Sequence, residues 1–62
     1  MNKLRQIRLG AGLTVSELAK ASNVTRQTIY RLETETDSTA NTKTLKALAD
    51  ALHVQVVDFF AS

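Results

Sequence analysis

Residues 14–33 read TVSELAKASNVTRQTIYRLE. Thr14 followed three places later by Glu17 is a capping box, in which two backbone donors are satisfied reciprocally. A helix is therefore predicted to start at Val15. Leu18 and Ala19 form its inward side, and Ala19 is small enough to let a second helix approach closely. Asn23 suits a sharp helix exit, because Asn is among the few non-glycine residues that tolerate left-handed backbone. Val24 packs into the angle and Thr25 caps the next helix. In that second helix Ile29 and Leu32 fall at i, i+3 and face inward, while Arg26, Gln27 and Arg31 face outward. Two short helices, a turn of about four residues and polar groups on the second helix make helix-turn-helix spacing, and those outward groups suit base edges.

Outward from this stretch, the flanks also read as helix. A first helix is predicted over residues 2–9, with Leu4 and Ile7 inward and Gly10-Ala11-Gly12 ending it. Residues 34–41, TETDSTAN, are polar turn formers and predict a loop. Asn41 is placed to cap a helix over TKTLKALADALH, where Leu45, Leu48, Ala49 and Leu52 form one amphipathic stripe. The last segment, VQVVDFFAS, has the β-branched and aromatic content of a strand. A lone strand would lack a partner in an otherwise helical chain, so a short fifth helix is expected.

Sixty-two residues allow one small domain, expected to span 1–62 and near the lower limit for folding without staples. With no cysteine there is no disulfide framework or thiolate metal site. His53 is the single histidine and has no second ligand beside it, so no metal, catalytic residue or cofactor is expected; its place suits the end of the fourth helix. Paired carboxylates and nucleophile–base pairs are likewise missing, which argues against an enzyme. Lys3, Arg5 and Arg8 interrupt any signal-like apolar start, and no run of about 18 apolar residues exists, so a soluble intracellular protein without membrane contact is expected.

Charge is distributed unevenly. Residues 1–31 carry six cations against Glu17 alone, a net +5, whereas residues 32–62 carry two lysines against five acids, a net −3. One half of the chain is polarised toward an anionic partner.

Residues LRQIRLGAGLT, the central stretch and LKALADALHVQVVDFF together resemble the phage-repressor and Cro-like helix-turn-helix family over almost the whole chain. The resemblance implies an all-α, compact five-helix, lambda-repressor-like domain of bacterial or phage origin, cytoplasmic and associated with double-stranded DNA. By the same resemblance Arg26, Gln27 and Arg31 match base-contacting positions of the recognition helix. Thr28 and Tyr30 match backbone-contacting positions. Arg8 and Glu33 match an ion pair that ties the first helix to the end of the recognition helix.

Thr14, Thr25 and Asn41, whose helix N-termini favour phosphate, and Lys43 near the start of the fourth helix are further candidates for the DNA backbone. The chain departs from the family pattern at Val15, where Gln is usual, and at Asn23, where Gly is usual. It departs again at Glu35 and Asp37, which stand where basic residues usually approach phosphate and would repel it.

Val56, Val57, Phe59 and Phe60 crowd the C-terminal end, and their apolar surplus is expected to form a homodimer surface. The function expected is a dimeric, sequence-specific transcription repressor with no small-molecule ligand. An alternative remains open: an antitoxin-like interaction module that keeps the fold and binds a protein partner.

Overall fold

The computed structural model describes residues 2–34 and 42–60. Among these residues four α-helices follow one another: α1 (Asn2–Gly10), α2 (Val15–Ser22), α3 (Arg26–Thr34) and α4 (Thr42–Leu52). A 3-10 turn, Val56–Phe59, closes the chain, and there is no strand among the described residues. The all-helical class and the element order agree with the sequence reading, with the fifth helix present as this single turn. The expected cap Asn41 and the acids Glu35 and Asp37 lie outside the described residues.

Each short helix begins or ends where local chemistry dictates. At the end of α1, the Gly12 N–H donates to the Leu9 carbonyl at 3.0 Å and the Leu13 N–H to the Arg8 carbonyl at 3.2 Å. This is the Schellman arrangement, and it requires the positive φ of 75° that Gly12 adopts. The end of α4 repeats it, with His53 donating to Asp50 at 3.2 Å and Val54 to Ala49 at 3.0 Å. There His53, at φ 58°, holds the left-handed position without glycine's freedom. His53 thus finishes α4, as its place in the sequence suggests, and does so through its backbone.

The core joins all five elements. Leu4 of α1, Val15 and Leu18 of α2, Ile29 and Leu32 of α3, Leu48, Ala49 and Leu52 of α4, and Phe59 are buried together. Ile7, Leu13, Ala19, Val24, Leu45, Ala51, Val54 and Val56 pack against them half-buried. α3 lies against both α1 and α2, while α4 lies against α2 and the 3-10 turn packs on α1.

The C-terminal segment corrects one expectation. A 3-10 turn repeats every three residues, so positions i and i+3 share a side. Val56 and Phe59 therefore both turn inward, and Phe59 is 1% exposed at the centre of the core. Val57 and Phe60 share the opposite side, at 62% and 60% exposure. Of the four residues expected to form a dimer surface, Phe59 belongs to the interior and Val56 is half-buried against the core.

Candidate nucleic-acid interface

The α2–turn–α3 unit is assembled by hydrogen bonds within a few residues. The Thr14 N–H donates to the Glu17 carboxylate at 2.8 Å, and the Glu17 N–H donates to the Thr14 hydroxyl at 3.1 Å. The capping box read from the sequence is thus complete. The Thr14 backbone N–H, followed by its hydroxyl, holds the Glu17 carboxyl below its ordinary value of 4.5. Because the Thr14 amide is engaged, an anion at this end of α2 would meet the first-turn amides of Val15 and Ser16 instead.

Asn23 makes the turn. It sits in left-handed backbone at φ 61°, ψ 26°, as its residue type suggested. The buried Ser22 hydroxyl donates back to the Leu18 carbonyl at 2.7 Å and accepts from the Val24 N–H at 3.3 Å, stapling the end of α2 to the turn. Thr25 then opens α3. Its hydroxyl accepts from the Thr28 N–H at 3.3 Å and donates to the Thr28 hydroxyl at 2.8 Å, while its carbonyl takes the Ile29 N–H. These bonds occupy Thr25 and Thr28 locally, and Thr28 is half-buried.

On α3 the helical period separates two faces. Ile29 and Leu32 are buried; Arg26, Gln27, Tyr30 and Arg31 are exposed, with Tyr30 at 56%. Arg26 and Gln27 lie in the first turn of α3, and Arg26 reaches across to α2, where its Nη1 donates to the Ser16 hydroxyl at 3.5 Å. Ser16, Ala19, Lys20, Asn23, Thr25 and Arg26 line an open cleft along the outer edge of this unit. A second, shallower cleft brings Lys43 and Thr44 of α4 beside Ser22, Asn23 and Val24, so Lys43 does stand next to the turn.

The opposite end of α3 is fastened from behind. Arg8 of α1 donates from Nε to Glu33 Oε2 at 2.6 Å and from Nη2 to Oε1 at 3.3 Å, a two-pronged pair. Its Nη1 donates to the Leu13 carbonyl at 2.8 Å. One guanidinium therefore ties α1, the α1–α2 link and α3 together. The side chains of Arg8 and Glu33 are 9% and 5% exposed.

Several contributors escaped the sequence reading. Val15 appeared there only as an unusual residue at a helix start, yet it is a core side chain at 8% exposure. Ser16, Ser22 and the Leu13 carbonyl were not singled out. Ser22 carried a usable signal, a small hydroxyl residue just before the Asn turn.

The family model described as helix-turn-helix matches residues 4–59, nearly the whole chain. The chain belongs to the Cro/C1-type helix-turn-helix family. No curated protein and no solved structure matches it. Membership gives this helix-turn-helix domain a DNA-binding, transcription-regulating kind of function, with DNA as its partner, in a family that is generally not enzymatic. Among the described residues no group of three His, Cys, Asp or Glu side chains is placed to hold a metal ion. Among them, no helix is long and apolar enough to cross a membrane.

Proposed function

We propose that this domain is a transcription repressor that reads a specific double-stranded DNA site with α3 in the major groove. The outward face of α3 carries the proposal: Arg26, Gln27 and Arg31 are solvent-exposed while Ile29 and Leu32 fix the helix from behind. Arg26 presents a fork suited to guanine O6 and N7, and Gln27 an amide suited to adenine N6 and N7. Arg31, one turn and a half further on, takes a base or a phosphate. Tyr30 and Lys43, with the helix starts that Thr14 and Thr25 cap and with Thr28 beside the second, supply backbone register rather than sequence choice. Asn41 completes that set in the sequence reading.

A single domain of this size reads only about one half-site, so a homodimer on two half-sites roughly 34 Å apart is the proposed binding unit. Val57 and Phe60 are the apolar groups left for the dimer contact at the C-terminal end. The same two side chains equally suit a different protein partner, which is what favours the interaction-module reading.

Selection of duplexes from a random pool tests the DNA reading. The wild-type chain is expected to return a consensus, and Arg26→Ala to lose preference at one base-pair position with about 1–3 kcal/mol of specific affinity. A pool returned without enrichment would sink the reading. Sedimentation of wild type and Val57→Lys, with circular dichroism on the same samples, tests assembly. Loss of dimer mass at full helicity is expected. A wild-type chain that stays monomeric and enriches no duplex favours the interaction module. Repression itself is checked by placing the selected site over a reporter promoter, where expression should fall.

A further inference from the structure

The α2–α3 cleft contains one contact that the proposed base reading does not use. Arg26 has a long side chain on the exposed face of α3 and is free, in principle, to sample many rotamers. In the structure its Nη1 is instead directed across the cleft to the Ser16 hydroxyl at 3.5 Å, ten residues back on α2. Ser16 lies in the first turn of α2, whose position is fixed from both sides. Val15, its neighbour, is buried in the core, and the Thr14–Glu17 capping box pins the helix start. The hydroxyl is therefore presented from a rigid platform rather than from a mobile surface.

The chemistry of the guanidinium makes this contact compatible with base reading. Arg carries five N–H donors in a fixed plane. Spending one Nη1 hydrogen on Ser16 leaves the Nε–Nη2 edge available for two parallel bonds to guanine. The Arg26 side chain makes no other hydrogen bond among the described residues. Immobilising a rotamer-rich side chain on binding opposes association. A contact that already narrows its rotamers in the free protein reduces that opposition, and it also fixes the plane in which the fork is offered.

We propose that Ser16 is a positioning residue for Arg26: its hydroxyl steers the guanidinium, and thereby sharpens the choice of base that Arg26 makes. The proposal rests on the reading of Arg26 as a base contact. At 3.5 Å and in solvent the hydrogen bond is long, so the effect expected is small, about two- to fivefold in affinity for the preferred duplex.

The test is a double-mutant cycle with Ser16→Ala, Ser16→Thr and Arg26→Ala. Each variant is measured on the duplex selected by the wild-type chain and on the same duplex changed at the base pair Arg26 reads. Ser16→Ala should lower affinity for the selected duplex and leave the changed duplex unaffected, narrowing the ratio between them. Ser16→Thr, which keeps the hydroxyl, should restore the ratio. In the Arg26→Ala background, Ser16→Ala should do nothing further.

An equal loss from Ser16→Ala in both backgrounds would overturn the proposal, because Ser16 would then touch DNA by itself. So would an unchanged ratio while Arg26→Ala still flattens one position; in that case the base reading survives. If Arg26→Ala leaves every position of the selected site unchanged, the base reading falls and this proposal falls with it. Urea midpoints measured on the same variants keep folding separate from recognition, since both Ser16 and Arg26 are exposed and neither change should shift them.

Discussion

At its C-terminal end α3 is tied to α1 through Glu33, a carboxylate 5% exposed and gripped by two donors of Arg8. At its N-terminal end Arg26 stands in solvent, and its one side-chain hydrogen bond among the described residues goes to Ser16 at 3.5 Å. Both ends use an arginine, and burial decides what each one does. A guanidinium enclosed with its carboxylate and a carbonyl holds helices in place. One left in solvent keeps donors for a partner not yet bound. The same helix is thus anchored at one end and offered at the other.

The contrast breaks most directly at the buried end. Glu33→Ala leaves Arg8 enclosed and unpaired, which costs about 3–5 kcal/mol. A domain of this length has only about 3–9 kcal/mol in total, at the usual stability per residue. Urea denaturation should therefore show most of the stability gone. Arg26→Ala, the matching change at the open end, should stay within about 0.5 kcal/mol of wild type. Pairing Glu33→Leu with Arg8→Met should recover part of the loss but not all. The Leu13 carbonyl would still lack its donor, at about 1–3 kcal/mol.

The two phenylalanines of the C-terminal end sharpen the same lesson. Phe59→Ala should cost about 3–5 kcal/mol by opening a cavity in the core. Phe60→Ala, its neighbour in sequence, should change monomer stability by no more than about 0.5 kcal/mol. Equal losses in thermal melts at low protein concentration would contradict the inward and outward assignment of the 3-10 turn.

The left-handed residues give a smaller effect. Gly12→Ala should destabilise by about 1–2 kcal/mol, because φ 75° crowds a Cβ against its own carbonyl. His53→Gly should stabilise by up to about 1 kcal/mol, since His53 now bears that crowding at φ 58°. A loss on His53→Gly would mean that the imidazole itself contributes more than the strain it carries.

The smallest effect belongs to the capping box and depends on pH. The Glu17 carboxyl is held below its ordinary value of 4.5 in the folded chain. Its contribution is present above that ordinary value and is lost as pH falls through the lowered one. Glu17→Gln, which keeps a side-chain acceptor for the Thr14 amide but cannot titrate, should flatten the acid limb of stability in that window. An unchanged acid limb would mean that the Glu17 carboxylate contributes nothing to it.

How far the sequence could be read follows from the range of each interaction. The capping box, the Asn23 exit and the leucine stripe of α4 depend on residues three or four apart, so their spacing is visible in the string of letters. The 3-10 turn was not, because VVDFF satisfies a strand, an α-turn and a 3-10 turn alike. Packing on α1 and α4 selects the period of three that sends Phe59 in and Phe60 out. Val15 was misjudged for a related reason: its side chain answers to the core, although its neighbours belong to a helix cap. The Ser16–Arg26 contact depends on a rotamer and on the crossing of two helices, neither of which a pattern of residue types contains.

Arg8 and Glu33 also decide how the domain responds to ionic strength. Mobile ions screen charges in solvent over about 10 Å at 0.1 M salt, but they do not enter a pair enclosed by side chains. Added salt weakens the grip of exposed cations on phosphate steeply, since each contact released takes back a counterion. The clasp between α1 and α3 is out of reach of that competition. Salt should therefore detach this protein from DNA at concentrations that leave its helices in place, and a high-salt wash should return it folded and ready to bind again.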